Sequence, residues 1–190
     1  SPNERCILPL EKWFMSIFLR SMLSDGAGAF LLENQPAESG LSFKVNWTYS
    51  RSFANQAPLC MKLENRTLLL SQDVTILADH LPSVTRESVA CAFRANHDDR
   101  SSYKCVLPHL SSFFFKRYLL GTLREFSGGN AADYWTNLET VGNTGAASIY
   151  IMLDEYVKTQ SLDDGDKIVL FIPESGQFNF AIISLTAIKN

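Results

Sequence analysis

Cysteine is scarce in this chain and badly placed for metal chemistry. The four cysteines among 190 residues, at positions 6, 60, 91 and 105, form no Cys-x-x-Cys pair, and none of the three histidines is spaced to complete a zinc set. No metal site is expected. A basic block is missing too. The 17 Lys and Arg are scattered among 20 Asp and Glu, for a formal net charge of −3, which argues against nucleic acid as a partner. No apolar run reaches the roughly 20 residues of a membrane span, because Arg20 and Asp25 interrupt the stretch from Trp13 to Leu32. The first residues show no basic segment leading into an apolar stretch and a cleavage site, so the chain is expected to be cytoplasmic with reduced thiols. Asn46-Trp47-Thr48 and Asn65-Arg66-Thr67 fit the glycosylation pattern, which has no meaning in a chain that is not exported.

What is present suits one compact unit with a sizeable core: 46% of residues are hydrophobic and 19% charged. Ser1 to Leu19, with apolar residues from Ile7 to Phe18, reads as a loop entering an amphipathic helix. Residues 20–33 read as an apolar strand, a turn at Ser24-Asp25-Gly26 and a second apolar run. Leu41, Phe43, Val45, Trp47 and Tyr49 alternate as in a half-buried strand. From Leu68 to Arg94 the spacing is helical, and Pro82 is expected to divide it into two helices. A strand from Tyr103 to Leu107 leads into Pro108-His109, then a helix over about 110–126 ends at Gly128-Gly129. Gly142-Asn143-Thr144-Gly145 opens a helix to about Thr159. Strands follow over Lys167–Ile172 and Phe178–Ile188. Alternating helices and strands place this half in the α/β class.

Three pieces sit at strand ends, where unpaired backbone N–H groups and helix starts handle ligands in α/β folds. They are Val106-Leu107-Pro108-His109, Gly142-Asn143-Thr144-Gly145-Ala146-Ala147-Ser148 and Glu174-Ser175-Gly176-Gln177-Phe178. His109 can donate from a ring nitrogen and Asn143 from its amide, so the two together can hold a developing oxyanion. Plainer roles also fit. His109 suits a loop or core histidine, Asn143 a helix cap, and Gly176 a hairpin turn. Phe113 to Phe115 suit a core, and Asp163-Asp164-Gly165-Asp166 suits a solvated turn.

The order of these motifs resembles the second part of a β-ketoacyl-ACP synthase III, over nearly the whole chain. Ser24-Asp25-Gly26-Ala27-Gly28-Ala29 is similar to that family's Gly-Asp-Gly-Ala-Gly-Ala hairpin, Leu107-Pro108-His109 to its histidine motif, and Gly142 to Ser148 to its asparagine motif. Gly165-Asp166-Lys167-Ile168-Val169-Leu170 and Ser175-Gly176-Gln177-Phe178 are similar to its closing strands. Asn143 follows His109 by 34 residues and Gly176 follows Asn143 by 33, which suits the family. The resemblance implies a thiolase-like α/β fold. Residues 1–40 would end the N-terminal half of its αβαβα five-layer arrangement, with the last hairpin, and residues 41–190 would form the C-terminal domain. It also implies a homodimer in complete enzymes and a decarboxylative condensation of an acyl thioester, from acyl-CoA or acyl carrier protein, with malonyl-ACP. These are substrates, and no cofactor is implied. His109 and Asn143 would hold the enolate oxygen, and the Gly176 N–H would complete a second oxyanion hole.

Three departures qualify what the resemblance implies. The family's nucleophilic cysteine lies upstream of the Asp-Gly-Ala-Gly motif, and none of Cys6, Cys60, Cys91 and Cys105 inherits it by motif. The chain alone is therefore expected not to condense. It would need the missing half or a partner ketosynthase subunit, unless it is a non-catalytic partner resembling a chain-length factor. Leu110-Ser111-Ser112-Phe113-Phe114-Phe115 replaces the polar and basic residues that usually follow the histidine. Glu174-Ser175-Gly176 replaces a glycine-rich turn, as in a divergent subgroup making dialkylresorcinol or other secondary metabolites.

Overall fold

A computed structural model describes residues 10–66, 68–113, 116, 121 and 133–190. The helix expected over 110–126, with its glycine stop, lies mostly outside them. In chain order the elements are α1 (Leu10–Ser21), β1 (Leu41–Ser52), β2 (Met61–Leu63), β3 (Leu70–Gln72) and α2 (Val74–Ala95). They continue with β4 (Tyr103–Pro108), β5 (Asp133–Tyr134), α3 (Leu138–Val141), α4 (Ser148–Thr159), β6 (Lys167–Glu174) and β7 (Asn179–Lys189).

Five strands form one mixed sheet in the order β1-β7-β6-β4-β5, and β2 pairs with β3 in a separate two-stranded ribbon. β4 lies parallel to β5 and β6, while β7 is antiparallel to both β6 and β1. The period-two side-chain alternation of strands divides the sheet's residues between two cores. Val106, Val169, Phe171, Phe180 and Ile182 pack on the α2 side with Leu77, Val89 and Phe93. Leu107, Ile168, Leu170, Leu185 and Ala187 pack on the α4 side with Ile149, Met152 and Tyr156. Burial on both faces is why β6 reads as an almost unbroken apolar run.

α2 starts because the Asp73 side chain caps it, accepting from the N–H groups of Thr75 and Ile76, both at 3.0 Å. It then continues through Pro82 as a single helix, where the sequence predicts two. The missing N–H removes one ladder bond, but Leu77, Val84 and Val89 keep one stripe buried on both sides of the proline. Packing outweighs the local break. The strand and turn expected from Arg20 to Glu33 are also replaced. α1 runs to Ser21, and residues 24–40 carry neither helix nor strand. Much of α1's apolar surface remains open: Trp13, Phe14, Ile17 and Phe18 are exposed, as are Leu31 and Leu32 beyond it. Among the described residues no helix is long and apolar enough to cross a membrane.

At the sheet end away from His109, Asp98 accepts from Trp47 Nε1 (2.6 Å), Tyr103 OH (2.5 Å) and Lys167 Nζ (2.7 Å). Burial by itself would raise this carboxyl's pKa, but the three hydrogen bonds and the lysine charge outweigh it and hold it below its ordinary value. A depressed folded pKa gives stability that is full above the unfolded value of about 3.9 and is lost as pH falls through the folded value. All three partners donate, so an amide NH2 there would meet a donor. Asp98→Asn is expected to lower stability by about 1–3 kcal/mol at pH 7. In urea titrations the deficit should shrink below about pH 4 as the wild-type carboxylate protonates.

Candidate active site

His109 is positioned by the sheet. The β4–β6 pairing ends at Pro108 and Phe171, and the His109 N–H extends it by donating to the Phe171 carbonyl at 2.8 Å. The ring lies just past the strand's C-terminal end, with Nδ1 buried and without a hydrogen-bond partner among the described residues. Burial lowers its pKa, which favours the neutral imidazole with its single N–H to donate.

Asn143 is placed by a backbone crossing. Leu23 makes an isolated parallel bridge with it, and Ser24 N–H donates to its carbonyl at 2.8 Å. Gly142 before it has φ 77°, and a Cβ there would lie 2.3 Å from Ser24 Oγ, so only glycine serves. The Asn143 Oδ1 accepts from Gly145 N–H at 2.9 Å. That contact fixes the orientation of the amide. Its NH2 makes no hydrogen bond among the described residues and is available as a donor.

The Ser24 to Ala29 motif is therefore a crossing strap in this chain. It passes over the start of α4, where a Cβ on Gly28 would come within 2.2 Å of Tyr150 Cβ. Gly28→Ala is expected to cost about 1–3 kcal/mol through overpacking, read as a lower urea midpoint with an unchanged m-value.

The third piece is the turn between β6 and β7. The Gly176 N–H donates to Glu174 Oε1, Gln177 N–H donates to Oε2 at 3.2 Å, and Asn179 Nδ2 donates to the same oxygen at 3.1 Å. From the other side, Cys60 holds the turn: its N–H donates to the Gly176 carbonyl (3.1 Å) and its thiol to the Ser175 carbonyl (2.5 Å). Gly176 thus sits at a hairpin turn, with its N–H engaged by Glu174. In the sequence, Glu174 stands in one of the three strand-end pieces and in place of a glycine-rich turn, with no role of its own. Its place two residues before Gly176, within reach of that amide, was the available signal.

A cavity of about 390 Å³ brings His109, Asn143, Glu174 and Ser175 onto one surface. Leu77, Leu81 and Pro82 of α2 and Leu19 of α1 supply apolar wall, and Gly176 is not part of the lining. Two uncharged donors at the edge of an apolar chamber can stabilise negative charge on a carbonyl oxygen, because little water competes there. Neither buried cysteine, Cys60 or Cys105, offers an activated nucleophile. Burial first, then Glu174 and Asp73, push the Cys60 thiol up to about 11. Burial likewise pushes Cys105 up to about 11. At pH 7 such thiols are ionised on the order of one part in ten thousand. Cys91 accepts from Arg51 on the α2 surface, and Cys6 lies outside the described residues.

A mixed sheet between helical layers, with donors gathered at the strand ends, defines an α/β domain. Residues 99–176 match the family described as the 3-oxoacyl-[acyl-carrier-protein] synthase III C terminal. The chain is similar to the β-ketoacyl-[acyl-carrier-protein] synthases III of Clostridium kluyveri, 23% identical over 158 residues, and of Clostridium botulinum, 27% identical over 160. Each match covers 78% of this chain and 47% of the relative, so the chain spans about half the length of the curated relatives it matches. The fold is also that of an OleA variant from Xanthomonas campestris. The TM-score is 0.66 at 18% identity, over 98% of this chain and 50% of the other.

Proposed function

We propose that this chain is the C-terminal portion of a 3-oxoacyl-ACP synthase III-like acyltransferase, and that its His109 and Asn143 stabilise the enolate in a decarboxylative Claisen condensation. The observation that carries this reading is the pair itself: two side chains, His109 and Asn143, that line one apolar cavity with donors unengaged among the described residues. A cysteine supplied from outside the chain attacks an acyl thioester of CoA or acyl carrier protein and expels the carrier thiol. The malonyl unit then loses carbon dioxide, and the electron pair of the broken C–C bond moves into an enolate whose oxygen His109 and Asn143 hold. The enolate carbon attacks the acyl-cysteine carbonyl, and the cysteine leaves as thiolate. Each step puts charge on a carbonyl oxygen, where preorganised donors act most strongly.

The cysteine-bearing half, or a ketosynthase subunit carrying it, would cover the open apolar surface of α1 and Leu31-Leu32, since patches of this kind mark interaction faces. Acyl carrier protein, acyl-CoA and, in the complete cytoplasmic enzyme, a second copy forming a homodimer complete the list of partners. In a second reading the chain is a non-catalytic ketosynthase partner, which the exposed apolar surface also fits. Mixing the 21.3 kDa chain with a cysteine-bearing half from a family member separates the two. Product formed only in the mixture, and lost with His109→Ala, supports the catalytic reading. Product formed equally well with His109→Ala supports the scaffold.

A further inference from the structure

We propose that Glu174 is a built-in occupant of the second oxyanion position, a positioning residue whose carboxylate must leave the Gly176 N–H before a substrate carbonyl can use that donor. The inference rests on the condensing reading for its consequence, but its geometry stands alone. Both Gly176 and Gln177 direct their N–H groups at the Glu174 carboxylate, as they would at a bound oxyanion. Glu174 lines the cavity and Gly176 does not, so the residue that holds the amide stands between it and the chamber. The loop around it is pinned. Cys60 holds the Ser175 and Gly176 carbonyls, Gln72 Nε2 donates to Ser175 Oγ at 3.2 Å, and the fully buried Phe178 anchors the turn from below with a left-handed φ of 53°. The Glu174 side chain belongs to an exposed residue and can rotate into solvent by giving up its bonds from Gly176, Gln177 and Asn179. A negative charge in that place also opposes a second anion, so the site discriminates against substrates too weakly held to displace it.

Amide hydrogen exchange and ¹⁵N–¹H spectra of the 190-residue chain, alone and with acetyl-CoA as probe, test this directly. In the wild type the Gly176 amide should be protected and unmoved by acetyl-CoA. Losing a charge-assisted acceptor in Glu174→Ala should speed its exchange about ten- to a hundredfold, and the resonance should now shift on adding acetyl-CoA. Glu174→Gln keeps an uncharged acceptor on the same stem and should fall between the two, which guards against Glu174→Ala simply loosening the turn. A Gly176 amide that exchanges equally in all three, or that responds to acetyl-CoA in the wild type as it does in Glu174→Ala, overturns the proposal. The condensing reading is judged separately by the His109→Ala mixture. Loss of product there beside an indifferent Gly176 amide would sink the Glu174 proposal alone, and the reverse pattern would sink the condensing reading alone.

Discussion

His109→Ala is expected to lower condensation by the complete assembly about 10²- to 10³-fold in kcat, the usual consequence of removing one oxyanion donor. The size follows from the setting. The imidazole is mostly buried and favoured in its neutral form, and it stands at the edge of an apolar chamber where a lost donor is not readily replaced by water. Asn143→Ala should cost a similar factor. The double variant should lose less than the product of the two, because both donors act on one oxygen. Steady-state kinetics with malonyl thioester measures this, and the KM should move less than kcat because the charge they stabilise develops only in the transition state. A loss confined to KM would make the pair a ground-state binding contact.

Phe180→Ala should destabilise the fold by about 3–5 kcal/mol. Phe180 is 1% exposed on the interior strand β7, stacked on Phe171 and edge-on to Phe53. Its removal leaves a void between β7 and α2 that these rings cannot readily fill. Because Phe171 also lines the cavity and accepts the His109 N–H, the same substitution should loosen the histidine. Trp13→Ala on the open side of α1 is the contrast: a half-exposed ring whose loss should change stability by no more than about 0.5 kcal/mol in the chain alone. Chemical denaturation of both variants checks the ordering.

Much of this was legible in the sequence because it rests on short-range patterns. The alternation from Leu41 to Tyr49 became β1, and the apolar run from Lys167 became β6. The His109 and Asn143 motifs could be read because strand ends and helix starts announce themselves through proline and glycine. The errors came where tertiary contact overrode local preference. Pro82 does not divide α2, since the buried stripe continues past it. Gly26 and Gly28 serve close approach to Thr144 and Tyr150 where a turn was expected. The three-residue strands β2 and β3 are too short to show any period. Glu174's hold on Gly176 depends on a side-chain rotamer, which periodicity does not encode.

The most direct test separates the two halves of the chemistry. The cysteine of the complete assembly is blocked with an alkylating agent, and carbon dioxide release from a malonyl thioester is followed with and without the His109→Ala/Asn143→Ala pair. Release that persists with the cysteine blocked and disappears with the paired substitution is the result predicted for a chain that carries the enolate-stabilising half of a condensing site. Release that is unchanged by the paired substitution would contradict it.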